Sequence, residues 1–520
     1  MSETYYVTTP IYYVNDVPHI GHSYTTIAAD VLARYHRAAG RDVRFLTGTD
    51  EHGIKIFTAA AERGMQAKEL ADEVVVQFQD LWAELNITHD DFIRTTEPRH
   101  ERRVQELVRR LVAADEIYLG KYEGWYDEGQ EGFVTESVAR DNEYKSPISG
   151  KELVRYSEEA YFFRLAKWVD KLLAHIKAND GFVAPVARRN EVVSKLEAGV
   201  DDLCISRSKE KLPWGVEMPN DPGHVVYVWI DALSNYYTAL GLPEIGDEHD
   251  AKEAKYWPCD VHLIGKDILW FHAVYWPCML MALGIELPKC VFAHGWWTSE
   301  GKKMSKSLGN FISRETISEI CAEYTRDVYR YFLLRAVSFG ADGDFSREAL
   351  KKRYNAELAN DVGNLLSRTV KMIANYFDGK VPAPGKRDER YDDLVIEAAE
   401  ELRKLAPRHM AACEFHAYLD ELFKLVRQTN IYIDSTQPFM LAKIPEERER
   451  LETILYTCAE AVRIVLCYLE PFMPEKAAAG LAQLGVAPGQ AGSLSEAGTF
   501  GRLPPGTAVA KGEGLFPRKQ

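Results

Sequence analysis

The chain has 520 residues, 46% of them hydrophobic, with eight cysteines. Its 63 lysines and arginines against 78 aspartates and glutamates leave a formal charge of −15, which excludes a protein that coats nucleic acid indiscriminately; any polyanion must meet a local basic patch. No apolar run reaches membrane-spanning length, no basic and apolar leader opens the chain, and no Cys-x-x-Cys pair occurs, so the expectation is a cytoplasmic protein without membrane contact, disulfide framework or cysteine zinc site.

Thr4 to Val14 is dense in Tyr, Thr and Val, as a buried strand should be, and Ile27, Ala28, Val31, Leu32 and Tyr35 recur at helical spacing. Pro18-His19-Ile20-Gly21-His22 therefore marks a strand-to-helix junction. Such a helix N-terminus is an anion site: free N–H groups and the positive dipole end face outward, and Gly21 leaves room for a nucleotide. Alone, the string also reads as ordinary helix-start residues. A second strand is expected over Asp42 to Thr47, ending in a loop with Asp50, Glu51 and His52, where open α/β sheets bind ligands. Helical patterns follow over Ala67 to Leu85 and Glu97 to Ala113.

From Glu116 to Pro222 the texture changes to short aromatic strands, such as Tyr122 to Tyr126 and Gly132 to Thr135, followed by helices around Ala160 to Ala178 and Arg188 to Glu197. The stretch reads as an insertion. Asp127, Gln130, Ser146 and Ser149 have the layout of a zinc knuckle, but Ser and Gln are poor zinc ligands, so a metal-free lobe is expected. Alternation resumes with Val225 to Asp231, read as a buried parallel strand, then Val261 to Asp267, a helix carrying Phe271 and His272, and a strand from Cys290 to His294. Gly301 to Asn310 is a lysine-rich loop bracketed by glycines.

Lys303-Met304-Ser305-Lys306-Ser307 and His19-Ile20-Gly21-His22, together on a split α/β sheet, resemble the two signatures of class I aminoacyl-tRNA synthetases. The 284 positions between His19 and Lys303 leave room for one modest insertion. Attack of a carboxylate on the α-phosphate of ATP needs little acid–base help; its barrier lies in bringing two anions together and stabilising charge on phosphate oxygens. The resemblance gives those tasks to His19, His22, Lys303 and Lys306, with Gly21, Gly265 and Asp267 completing the ATP site. A capping role for Asp267 is compatible with that.

The whole chain is similar to the methionyl-tRNA synthetase family, most closely to bacterial members without knuckle cysteines. This implies an α/β, Rossmann-type parallel-sheet catalytic domain split by an inserted connective domain and followed by an all-α anticodon-binding bundle. The expected divisions are 1–115, 116–222, 223–300, 301–345 for the lysine loop and stem-contact region, and 346–520. It also implies formation of methionyl-adenylate from L-methionine and ATP with Mg2+, then transfer to the terminal adenosine of tRNA(Met), for initiation and elongation. By resemblance the ammonium is held by Asp50 and the backbone at Ile11, and the thioether lies among Tyr13, Trp229, Tyr236, Phe271 and His272. Aromatic walls with one weak hydrogen bond to sulfur suit a neutral, polarisable side chain. No zinc is expected.

Past Glu315, the resemblance makes Tyr324 to Phe345 the stem-contact element. In Leu358 to Phe377, expected as one helix, Asn360, Asn364, Arg368 and Lys371 share a face opposite an apolar stripe. The resemblance assigns Asn364 and Arg368 to anticodon bases, with Phe439 of Pro438-Phe439 as the stacking partner. Gly512 to Pro517 reads as a short returning strand. With no appended C-terminal tRNA-binding barrel in view, a monomer is expected. A non-catalytic RNA-binding paralogue is the rival reading, and the two intact signatures weigh against it.

Overall fold

A computed structural model describes residues 3–15, 17–127, 132–134, 136–245, 251–299, 301–303, 311–487 and 493–519. The Tyr- and Thr-rich start of the chain forms β1 (Thr4–Tyr13), followed by helix α1 (Ile20–Ala38) and β2 (Asp42–Asp50). Helix α2 (Ala67–Glu84), β3 (Asp91–Arg94) and α3 (Pro98–Ala113) complete the first half. The central sheet then takes β4 (Val183–Ala184), β5 (Val261–Gly265) and β6 (Val291–His294), with helix α4 (Val228–Thr238) packed beside it. All six strands are parallel, in the order β3-β2-β1-β5-β6-β4. One core joins α1, α2 and the C-terminal helices, and a second joins α3, α4 and the inserted lobe. The sheet is thus buried on both faces, which is why its central strands are apolar runs rather than alternating ones.

Several expectations need correction. Val225 to Asp231 is not a parallel strand: only Val225 and Val226 are extended, at the end of an antiparallel strand (Asp221–Val226), and the chain turns at Tyr227 into α4. A short apolar run suits a buried helix as well as a buried strand, and here both faces of α4 are covered, so hydropathy carries no period. The second strand runs three residues past Thr47, to Asp50. Residues 160–163 end a strand (Val154–Phe163), and the helix expected there starts at Val169. Within 116–222, β4 belongs to the central sheet; the other described strands form two small antiparallel sheets beside helices at Val169–Ala178 and Val186–Glu197.

After the sheet, α5 (Arg326–Ala336) docks on α1. Arg330 is fully buried there, pairing with Asp30 of α1 at 2.7 Å and donating to the carbonyls of Leu85, Pro471 and Phe472. One guanidinium thereby ties the sheet to the C-terminal region. That region is helical: α6 (Asn364–Tyr376), α7 (Glu389–Ala411), α8 (Phe415–Thr436) and α9 (Arg448–Leu469). The single helix expected over Leu358 to Phe377 is a π-helical segment (Tyr354–Gly363) leading into α6. Gly512 to Pro517 forms no strand; Leu515 and Phe516 bury their side chains while the backbone stays irregular. No helix among the described residues is long and apolar enough to cross a membrane.

Candidate active site

The sheet opens between its two halves. β1 and β5 pair only through Val7–Val261 and Thr8–His262, and beyond that point the β1–β2 register shifts between Thr8 and Ile11, across Pro10. A proline cannot continue the ladder, and past the bulge β1 pairs only with β2, from Ile11–Gly48 to Tyr13–Asp50. The crevice outside the carboxyl ends of strands, where strand order reverses, is where open α/β sheets bind ligands. A cavity of about 430 Å³ lies there. Ile11, Tyr13, Asp50, Trp229, Tyr236, Phe271 and His272 line it, and so do His19, Gly21, His22, Gly265 and Asp267. Tertiary structure therefore gathers these expected residues, carried by strand ends and helices far apart in the chain, into one cleft.

At the N-terminus of α1 the two histidines cap the helix reciprocally. The Gly21 N–H donates to His19 Nδ1 at 3.1 Å, and the His19 N–H donates to His22 Nδ1 at 3.2 Å. A ring nitrogen that accepts carries no hydrogen, so a neutral ring has its N–H at Nε2. His22 is neutral: burial, then the neighbouring His19, holds its pKa well below the usual histidine value. The ring centroids lie 3.9 Å apart with the planes tilted by 31°. Gly21 is required by this arrangement, because a Cβ there would meet His19 Cε1 at 2.9 Å. The glycine expected to make room for a nucleotide makes room first for the capping imidazole.

The lysine loop is pinned at both ends. A short strand (Trp297–Ser299) pairs with Lys302–Lys303, placing Lys303 opposite Thr298. The chain returns beside α1: the Ile20 N–H donates to the Ile312 carbonyl at 3.1 Å, His19 bridges to Ser313, and the Phe311 ring lies 5.3 Å from that of His19. Lys306 lies outside the described residues.

One end of the cleft is walled by aromatics. Trp229 and Phe271 stack at 3.7 Å with planes 8° apart. A π-helical turn (Phe271–Tyr275) sets Phe271 and His272, adjacent in sequence, both on the cavity. His272 Nδ1 donates to the Ile268 carbonyl at 3.0 Å, so Nε2 accepts the Tyr236 hydroxyl at 2.7 Å. Burial lowers the His272 pKa to about 4, keeping the ring neutral. Both candidate donors of the expected hydrogen bond to sulfur thus have partners within the protein, Tyr236 on His272 and His272 Nδ1 on Ile268. Asp50 closes the end of β2, opposite Tyr13.

Sequence reasoning missed Thr25, Lys55, His294 and Trp296, which also line the cavity. The Lys55 Nζ sits 5.6 Å over the Tyr13 ring, and Thr25 Oγ1 is 2.6 Å from His294 Nε2. His294 ends β6, a position that signals a site in this fold; nothing local marks the others. Asp267 is not a helix cap, for its short helix starts at Lys266 after Gly265; it accepts from Trp296 Nε1 at 3.1 Å instead. A Cβ on Gly265 would meet the Asp267 carboxylate at 2.5 Å. In the inserted lobe, Ser146 Oγ accepts the N–H groups of Ile148 and Ser149, so the knuckle-like turn closes on its own hydrogen bonds; Gln130 lies outside the described residues.

Asn364, Arg368 and Phe439 lie apart from the cleft, in the helical region. Asn364 is exposed at the start of α6, Arg368 pairs with Asp434 of α8 at 2.8 Å, and Phe439 is 43% exposed on the short helix (Pro438–Leu441) that follows α8.

A parallel sheet opened at its switch point beneath a capping histidine pair is the framework of a class I synthetase, and the chain matches the family described as tRNA synthetases class I (M) over residues 5–142 and 141–370. It is 50% identical to the methionine–tRNA ligase of Caldanaerobacter subterraneus subsp. tengcongensis, over 100% of this chain and 79% of that one. It is 45% identical to that of Bacillus subtilis, over 99% and 78%. The structure of Mycobacterium tuberculosis methionyl-tRNA synthetase in complex with methionyl-adenylate superposes with a TM-score of 0.92 at 44% identity, covering 99% of this chain and 100% of that one. Its free-state structure gives 0.87 at 41% identity, covering 100% and 99%. The chain belongs to the methionyl-tRNA synthetase family of class I aminoacyl-tRNA synthetases.

Proposed function

We propose that the chain activates L-methionine with ATP and transfers it to the 3′-terminal adenosine of tRNA(Met), with the cleft at the β1–β5 switch point as the active site. The observation that carries this reading is the meeting, in one cavity, of a helix N-terminus bearing two imidazole Nε2 donors with an aromatic-walled subsite and a carboxylate.

In the first step a carboxylate oxygen of methionine attacks the α-phosphorus of magnesium-bound ATP, the bond to the β-phosphate oxygen breaks, and pyrophosphate leaves. His19 and His22 donate to the phosphate oxygens as charge builds there, supported by the α1 dipole. Lys303 and Lys306 close over the departing phosphates, and Gly265 with Asp267 receives the ribose. Asp50 pairs with the methionine ammonium and Ile11 holds it by backbone, while Tyr13, Trp229, Tyr236, Phe271 and His272 enclose the thioether. In the second step a ribose hydroxyl of the terminal adenosine attacks the acyl carbon, an ester forms and AMP leaves. Asn364 and Arg368 meet anticodon bases and Phe439 stacks on one; for this Arg368 exchanges Asp434 for a base edge. The donor set of the knuckle-like turn does not suit zinc, and no step uses it. A cytoplasmic monomer serving initiation and elongation completes the reading.

Amino-acid-dependent ATP–pyrophosphate exchange, without tRNA and across the twenty amino acids, tests it. Exchange with methionine alone is expected. Exchange with another amino acid would overturn the subsite, and none from folded protein would overturn catalysis.

A further inference from the structure

Helix α4 has two working faces. Trp229, Ala232, Leu233 and Tyr236 line the cleft. Asp231 and Thr238, seven residues apart, are held instead by α3, whose His100 spans them like a strut: its Nε2 is 2.7 Å from Asp231 Oδ1 and its Nδ1 is 2.7 Å from Thr238 Oγ1. A carboxylate only accepts, so Nε2 donates to Asp231; the Thr238 hydroxyl sits between His100 Nδ1 and the Asn235 carbonyl, which it reaches at 3.3 Å. The second carboxylate oxygen, Asp231 Oδ2, lies 2.7 Å from Nδ1 of His52, two residues past Asp50. His52, His100 and Asp231 are 2%, 0% and 1% exposed.

Further polar groups surround the cluster. Glu101 of α3 stands 3.7 Å from His52 Nε2. The Trp214 ring packs on His52 at 5.1 Å, and its Nε1 donates to the Glu51 carbonyl. Glu51's own carboxylate is taken by Arg94, Thr49 and Thr96. Burial disfavours an Asp231 carboxylate, yet His52 and His100 outweigh it and hold its pKa down to about 2. Burial likewise disfavours a charged His52, but Asp231, Glu101 and Glu51 raise its pKa.

We propose that His52, Asp231 and His100 form a positioning triad for the amino-acid subsite, setting the rotation and height of α4, and so of Trp229 and Tyr236, relative to Asp50. The inference rests on the assignment of that subsite to methionine. A buried ionised cluster is a poor source of stability compared with apolar packing, but its hydrogen bonds are directional. Apolar contacts alone let a helix turn or slide by a fraction of an ångström. Bonds at Asp231 and Thr238, two turns apart, with a third reaching the Asp50 arm, forbid both movements.

The test is pyrophosphate exchange with Asp231→Asn, Thr238→Val and Thr238→Ser, reading KM for methionine and for ATP separately. In Asp231→Asn an amide N–H2 replaces one acceptor of an imidazole N–H, and KM for methionine should rise about tenfold or more, the worth of one charge-assisted bond. KM for ATP should stay within about twofold, because the phosphate end is built on α1. Thr238→Val is isosteric, should raise KM for methionine by roughly threefold, and Thr238→Ser should restore it. Methionine KM unchanged in folded Asp231→Asn and Thr238→Val, or both KM values rising together, would overturn the triad. If Asp231→Asn does not fold, the Val and Ser variants decide alone. Failure of the wild type to exchange with methionine would instead overturn the functional reading beneath it.

Discussion

Gly21→Ala separates stability from catalysis at the α1 N-terminus. Gly21 is the second residue of the helix, and its added Cβ would lie 2.9 Å from His19 Cε1 and 3.2 Å from His19 Nδ1. The imidazole must give way, and its cap on the Gly21 N–H is lost. A lost cap costs about 1 kcal/mol, while alanine in place of glycine favours a helix by about 1 kcal/mol, so the two nearly cancel. Catalysis has no such offset, because the His19 Nε2 donor moves with the ring. A displacement of about 1 Å at a reacting group costs on the order of 10²-fold in rate. The expected result is an unfolding midpoint within about 1–2 °C of wild type and pyrophosphate exchange reduced about 10²-fold. Exchange within about twofold of wild type would refute the reasoning; so would a large fall in the midpoint, since the loss would then belong to folding.

Lys306→Ala should slow adenylate formation far more than it weakens methionine binding, read by single-turnover kinetics beside equilibrium titration; equal losses would place the lysine outside the phosphate step. Arg368→Ala should leave pyrophosphate exchange intact and impair charging of tRNA, and unchanged charging would remove the anticodon assignment. Acid should destabilise the fold through its buried imidazoles. Burial holds His22 and His262 well below the usual histidine value and His272 and His36 at about 4 and about 3, and each is free to protonate near pH 6.5 once unfolded. The unfolded chain therefore binds more protons between about pH 6.5 and 4, and stability falls as pH drops through that window, by up to about 1.4 kcal/mol per pH unit for each histidine. His52, raised by Asp231 against its burial, acts oppositely, losing its contribution as pH rises through its folded pKa. Urea midpoints at pH 7 and 5 measure the sum, and equal midpoints would contradict it.

Much of the site was legible because its parts are local. A Tyr- and Thr-rich strand, a His-x-Gly-His junction and helical spacing behind it specify β1, the α1 N-terminus and its two imidazoles within a short stretch of chain. Phe271 and His272, Asp50 and the lysine loop were each visible as residues of the right chemistry near the end of an expected element. Less legible were features that depend on which surfaces meet. The run Val225 to Asp231 reads as one buried strand, and only packing against α3 on one side and the cleft on the other makes its second half, from Val228, the start of α4. β4, two residues long, has no pattern of its own and exists because the edge of β6 is open to it.

The sequence by itself thus determined the fold class, the two signatures and the residue types of the cleft, since hydrophobic period, turn chemistry and helix-start chemistry act over a few residues. Tertiary structure alone decided that β1 parts from β5 beyond Thr8, that Tyr236 spends its hydroxyl on His272, and that His100 clamps Asp231 to Thr238. These are contacts between residues up to 254 positions apart, set by the geometry of packed elements, and no local pattern encodes the distance between two surfaces until both have formed.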